Sequence, residues 1–204
     1  MNKFILYFFV CMLCCSCSSG VKRIGIQPYG DIDQKVIHSI SEILKTSYNA
    51  DIIILEKKEL PKSAFVQIKS PRYRADSLLI DLLKIRPDSI DYVLGITSKD
   101  ISTTKKNPDG SIKTPESKYS DWGIFGLGYR PGKSCVISTF RLKHKKPKIF
   151  ESRIQKIAVH EIGHNLGLSH CDHNECVMQD AVETIHTVDS AGFELCDNCK
   201  YDMN

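Results

Sequence analysis

No apolar run among the 204 residues reaches the roughly 20 that a membrane-spanning helix needs. A strong charge of one sign is also missing: 28 Lys+Arg against 24 Asp+Glu leave a net +4. That field is too weak to mark a nucleic-acid binder, and none is expected as a partner. Glycine and proline, at 12 and 8, are too few for a collagen-like or low-complexity chain, and no internal repeat recurs. With 42% hydrophobic and 25% charged residues, the composition is that of a globular protein of one domain or two small ones.

Cysteine is what the chain has in excess, and its nine copies fall into three groups. Cys11, Cys14, Cys15 and Cys17 belong to a leader, Cys135 is isolated, and Cys171, Cys176, Cys196 and Cys199 lie near the end. The leader has a basic start at Lys3, an apolar stretch over residues 4–13, and small residues from Ser16 to Gly20. That is the layout of a secretory signal. A leader ending in cysteines resembles a bacterial lipoprotein signal, which is cut before a cysteine that then carries lipid. Cys17 fits best, with a small residue before it and a Ser-Ser-Gly tether after it; Cys15 is the alternative. The expected location is therefore a lipid-anchored protein of the bacterial cell envelope, periplasmic or at the cell surface. An ordinary cleaved signal or a short buried helix are the plainer readings of the same residues.

Past the leader, alternation over residues 21–26 (VKRIGI) predicts a strand that ends at Gln27-Pro28. Helical spacing of Ile32, Val36, Ile37, Ile40, Ile43 and Leu44 predicts an amphipathic helix over 31–48. A short buried strand follows at 51–55, making a parallel unit with a crossover. Residues 61–74 read as irregular, 75–85 as a helix stopped before Pro87, 90–97 as a strand, and 99–119 as a long polar loop. Residues 122–129 and 135–140 read as an antiparallel pair at a sheet edge, with Pro131-Gly132 turning between them. The basic stretch 141–148 reads as a solvated loop in preference to an anion-binding patch.

The chemistry is concentrated in HEIGHNLGLSHCDHNECVM, residues 160–178. His160 and His164 are four apart, so on a helix they share one face, one turn apart, and can take two corners of a zinc tetrahedron. Glu161 projects beside that face, within reach of a zinc-bound water without being a ligand. Ile154, Ile157, Ala158 and Ile162 give the helix its apolar contacts. Gly167 can adopt positive φ and turn the chain back, so that His170 arrives as the third ligand. Three histidines leave the fourth position open for water, as a catalytic site requires. A lone HExxH recurs by chance; the Gly–His extension is what makes this signal specific.

Cys171-x4-Cys176 and Cys196-x2-Cys199 are two close pairs separated by a structured segment. They read as a four-thiolate structural zinc site, and the alternative is two disulfides in an oxidising compartment. Cys135, in an apolar strand, reads as an inert buried thiol.

The pattern HExxHxxGxxHCx4CxMx17CxxC resembles that of the archaemetzincins, and this chain has every fixed position: His160, Glu161, His164, Gly167, His170, Cys171, Cys176, Met178, Cys196 and Cys199. The similarity extends back through Ser138-Thr139-x-Arg141-Leu142. The resemblance implies an α/β (α+β) metzincin-like domain: a twisted mixed sheet, a backing helix, an active-site helix, and a small zinc-stapled C-terminal subdomain. On that basis residues 1–20 are signal and tether. Residues 21–204 are the peptidase domain, divided into subdomains of about 21–167 and about 168–204, and the protein is expected to be a monomer. Met178 would form a turn beneath the metal, and 184–195 would be the C-terminal helix. The leader is the departure, because the family is associated with the cell interior.

The implied cofactors are two zinc ions per chain, one catalytic and one structural, and the partner is a peptide or protein substrate. The expected reaction is peptide-bond hydrolysis by a zinc-activated water with Glu161 as general base. An extended substrate would pair with the edge strand at 122–129. Tyr129 and Tyr201 are the candidates for steadying the oxyanion, while His173 and Glu175 read as loop residues. The competing class is an exported zinc-binding lipoprotein with a structural metal and no turnover, which has no need of Glu161. An aminopeptidase is a third reading and needs an anchor for a free amine.

Overall fold

The computed structural model describes residues 21–180 and 184–203, so the leader with Cys17 and Cys15 lies outside the described residues. The chain runs β1 (Arg23–Tyr29), α1 (Gln34–Tyr48), β2 (Asp51–Ile54), a 3-10 turn (Lys62–Ala64), β3 (Phe65–Gln67), β4 (Pro71–Arg74) and α2 (Ala75–Ile85). It continues through β5 (Tyr92–Thr97), β6 (Ile101–Thr103), α3 (Glu116–Tyr119), β7 (Trp122–Ile124), β8 (Gly126–Gly128), β9 (Ser134–Ser138) and α4 (Pro147–Asn165). Two short helices close it, α5 (Ile185–Ser190) and α6 (Asp197–Asp202).

The strands form two mixed sheets, where one was expected. The larger has the order β2-β1-β5-β9-β8; β2 and β8 are its edges, and among the described residues β8 alone runs antiparallel. The smaller has the order β3-β4-β6-β7. Alternation along the central strands builds two cores. Ile24, Ile26, Leu94, Ile96, Cys135 and Ile137 face α1 and α4, while Val93 and Val136 face α2 and the second sheet. The buried face of α1 (Ile37, Ile40 and Leu44) matches its expected spacing, and Asp33 caps its start by accepting from the Lys35 N–H. In α4 the expected contacts Ile154, Ile157, Ala158 and Ile162 are all buried, and Pro147 opens the helix.

Several boundaries differ from expectation. β1 continues through Pro28 because β2 has ended opposite Ile26, so no β2 partner awaits the missing N–H. Residues 61–74 and 99–119, expected to be irregular, supply β3, β4, β6 and α3. These strands are only three or four residues long, and they pair with each other and with β7. The expected strand 122–129 is two strands. Ile124 pairs with Ile101 of the small sheet, and two residues later Gly126 pairs with Ile137 of the large one. The expected helix 184–195 ends at Ser190, because the chain must close against Glu175: a Cβ on Gly192 would lie 2.0 Å from the Glu175 carbonyl oxygen. Among the described residues no helix is long and apolar enough to cross a membrane.

Candidate metal centres

Helix α4 carries His160, Glu161 and His164 on its last turns, with the first two buried beneath the large sheet. The helix stops where expected. Gly167 adopts φ +99°, and its N–H returns to the His164 carbonyl at 2.9 Å. The reversal brings His170 back over the helix. Ring centroids of the three histidines lie 4.6, 4.9 and 5.3 Å apart, and one donor atom from each falls within 4.8 Å of the others.

Each imidazole is oriented from behind. His160 Nδ1 donates to the Val177 carbonyl at 2.9 Å, and His164 Nδ1 donates to the Leu168 carbonyl at 2.8 Å. His170 Nδ1 lies 3.5 Å from the Asp180 carboxylate. A carbonyl only accepts, so the Nδ1 of both helix histidines carries the proton. The Nε2 lone pair is then free for a metal, the tautomer arrangement common to zinc-bound histidines. Burial, reinforced by the neighbouring His164, pulls the His160 ring down to about 3; burial also lowers His164. Both rings are thus neutral at physiological pH, the form that binds metal.

Glu161 is buried against the edge strand. A Cβ on Gly126 would meet its Oε1 at 2.5 Å, and one on Gly128 would meet its backbone oxygen at 2.8 Å. The glycines of β8 therefore let the strand lie directly on this carboxyl. Burial pushes it up to about 8.

Met178 sits in a turn closed by the Gln179 N–H donating to the Cys176 carbonyl at 3.1 Å, and its side chain is fully buried. Its contact is with Gly163, the residue before His164. A Cβ there would lie 2.4 Å from Met178 Sδ and 3.2 Å from the Tyr48 hydroxyl. Nothing in the sequence spacing says what Gly163 touches. Asn165 likewise occupies no fixed position of the metal-binding motif. It is buried at the end of α4, and its Nδ2 donates to the carbonyls of Tyr129 and Ser134 at 2.9 and 2.8 Å, fastening the β8–β9 hairpin to the active helix.

The four C-terminal cysteines also converge, as free thiols, with their sulfurs within 4.8 Å of one another. Cys171 and Cys196, and Cys176 and Cys199, are each 3.7 Å apart. A zinc–sulfur distance of about 2.3 Å in a tetrahedron gives a sulfur separation of about 3.8 Å. A disulfide needs about 2.05 Å. The donor set therefore fits a four-thiolate zinc. Backbone N–H groups of His173, Met178 and Cys196 point at these sulfurs at 3.4–3.5 Å. The Cys199 N–H is the chief cause drawing the Cys196 thiol down to about 7, while burial pushes Cys199 up.

The remaining candidates fall outside both clusters. His173 and Glu175 are exposed loop residues, joined by the Glu175 N–H to His173 Nδ1 at 3.3 Å. Tyr201 is 81% exposed on α6, and Tyr129, at the end of β8, is 37% exposed. Cys135 is fully buried, with its thiol pushed up by burial and by Glu161.

The model of peptidase family M54 matches residues 20–204. The chain is 31% identical over 187 residues to an archaemetzincin of Halobacterium salinarum, covering 87% of this chain and 97% of that protein. It is 34% identical over 185 residues to one from Haloquadratum walsbyi, covering 86% and 96%. The crystal structure of archaemetzincin from Archaeoglobus fulgidus matches with a TM-score of 0.71 at 27% identity, over 88% of this chain and 99% of that one. That from Methanopyrus kandleri matches with a TM-score of 0.72 at 24% identity, over 90% and 93%, and shares the fold.

Proposed function

The chain belongs to peptidase family M54 and is a zinc metallopeptidase of the archaemetzincin type, and from that footing we propose how its residues divide the work. His160, His164 and His170 hold the catalytic zinc, and Glu161 is the general base. Cys171, Cys176, Cys196 and Cys199 hold a second, structural zinc. The observation that carries this reading is the convergence of three imidazoles, each oriented through Nδ1, with a buried carboxyl beside them.

When bound, zinc supplies a Lewis acid that polarises the scissile carbonyl and acidifies water. Glu161 takes the proton from the attacking water and delivers it to the leaving amine. The outer edge of β8, unpaired among the described residues and pressed against Glu161, pairs with the extended substrate backbone. Met178 provides an apolar floor without binding metal. The active helix belongs to an N-terminal subdomain of about 21–167 and the thiolate site to one of about 168–204, working as a monomer. A zinc-binding protein without turnover has no use for a carboxyl buried beside an open metal position, so that alternative is not favoured.

Zinc-replete Glu161→Gln should keep its fold and metal yet lose cleavage of a proteome-derived peptide library by several orders of magnitude. Activity near the wild-type level in that variant would remove Glu161 from the mechanism. New termini generated by the wild type alone would report the cleavage preference.

The leader supports one further part of this reading, export with lipid attachment at Cys17. It rests on Lys3, the apolar stretch over 4–13 and the small residues around Cys17. Labelling with a palmitate analogue in wild type, Cys17→Ala and Cys15→Ala tests it. Label lost only in Cys15→Ala moves the lipid to that residue, and label absent from all three leaves no lipoprotein.

A further inference from the structure

Beside β7 lies a cavity of about 540 Å³ whose polar lining is mainly cationic. Behind it three arginines share two buried aspartates. Arg141 grips Asp100 through Nε and Nη2 at 2.6 and 2.7 Å, and Arg72 holds Asp100 and Asp121 at 2.8 and 2.9 Å. Arg74 approaches Asp121 at 3.9 Å. At the mouth stand Lys69 and Lys118, exposed, with neither ion-paired among the described residues. Lys69 donates to the Lys118 carbonyl at 2.7 Å, and Lys118 Nζ lies 4.9 and 5.2 Å from the ring centres of Tyr119 and Trp122. Positive charge thus exceeds negative here, and the buried aspartates fix the arginines in place. Gly123 makes room for the Arg141 guanidinium, since a Cβ there would overlap Arg141 Nη2.

Position gives the cavity its meaning. Phe125 lines it, and the next residue, Gly126, lies against the Glu161 carboxyl. An extended peptide advances about 3.3 Å per residue. A substrate paired with β8 therefore carries groups about 7–13 Å from the scissile bond over the region of Gly123 and Phe125. The cations there meet the one anion a polypeptide carries unmodified, the carboxylate. We propose that this cavity is a specificity subsite, taking a substrate carboxylate two to four residues from the scissile bond. The carboxylate comes from an Asp or Glu side chain or from the chain terminus. This rests on the peptidase reading above and adds to it a substrate class, peptides with an acidic group near the cut.

Trp122, the single tryptophan of the chain, lines the cavity and reports on it directly. Binding is measured by Trp122 fluorescence on zinc-loaded Glu161→Gln protein, so that no peptide is cut. The probes are blocked alanine-rich heptapeptides with Glu or Gln at each position in turn, and a neutral heptapeptide with a free or an amidated C-terminus. At one or more positions the carboxylate-bearing peptide should bind about tenfold tighter than its neutral twin. That preference should fall to within about twofold in both Lys118→Gln and Lys69→Gln. Preference for Glu assigns a side-chain carboxylate, and preference for the free terminus assigns that one. Equal binding of all charged and neutral twins, or a preference that survives both lysine variants, overturns the subsite. Those outcomes do not depend on turnover, whereas the peptidase reading stands or falls on cleavage by the wild type and its loss in Glu161→Gln.

Discussion

Gly163→Ala is the smallest change that tests whether Met178 supports the metal site. The added methyl would sit 2.4 Å from Met178 Sδ and 3.1 Å from its Cε. Neither neighbour gives way easily. Met178 is fully buried in its turn, and the Tyr48 hydroxyl, 3.2 Å from the new methyl, is held by the Val159 carbonyl at 2.6 Å. Overpacking of this kind costs about 1–3 kcal/mol, and alanine returns about 1 kcal/mol of helix propensity over glycine. The net loss is about 1 kcal/mol, a fall in Tm of about 2–4 °C for a chain of this size. The larger effect falls on metal. The turn that must retreat also carries the Val177 carbonyl that orients His160. Losing such an orienting contact costs about 10–100-fold in affinity. Zinc affinity of the histidine site, read by chelator competition, should therefore drop at least tenfold. In a Met178→Ala background the same glycine change should matter less than about twofold, because the colliding side chain is gone. Unchanged affinity in Gly163→Ala, or an equal loss in both backgrounds, would refute the reasoning.

Two other outcomes follow from the paired clusters. Purified protein should hold two zinc ions per chain, and mild chelation should leave about one, since an open three-histidine site exchanges metal more readily than a closed four-thiolate site; disulfides found at all four C-terminal cysteines would dispose of the second ion. Cys196→Ser should lower Tm and peptidase activity together, and wild-type activity per folded molecule would show that the two sites are independent.

The sequence was most legible where function is local. His160, His164, Gly167 and His170 lie within eleven residues, so helix geometry and one turn decide their placement. The cysteine pairs were readable for the same reason. What failed was non-local. β4 and β6 are three or four residues long, and the pairing that joins them spans 28 residues of sequence, from Tyr73 to Ile101. The apolar, Gly-rich stretch 122–129 reads as a strand, but its composition says nothing about which sheet receives each half; the switch at Phe125 depends on two separate edges, Ile101 and Ile137. Gly126 and Gly163 carried no signal at all, because a glycine's role in close packing is known only once the opposing atom is known.

The segment from His170 to Met178 explains why one site should feel the other. His170 and Cys171 are adjacent, so a ligand of each cluster hangs on one peptide bond. The Cys171 N–H donates to the Met178 carbonyl at 2.9 Å, closing the segment into a loop whose base is shared by both clusters. Val177, between Cys176 and Met178, is held from both sides. Its N–H donates to the Glu194 carbonyl at 2.9 Å, and its carbonyl accepts from His160. From the other direction, Lys156 of α4 donates to the carbonyls of Val188 and Asp189 at 3.1 Å, and Arg153 grips the Asp189 carboxylate at 2.7 Å, docking α5 onto the active helix. The C-terminal segment buries Leu168, Val177, Met178, Val188 and Leu195 in the core, and a metal tie at its four cysteines would fix it further. Fixing it fixes Val177, and with Val177 the tautomer and direction of His160. A metal tie at the four thiolates would therefore act on the reaction without touching substrate, through the Val177 carbonyl and through the peptide bond that joins His170 to Cys171.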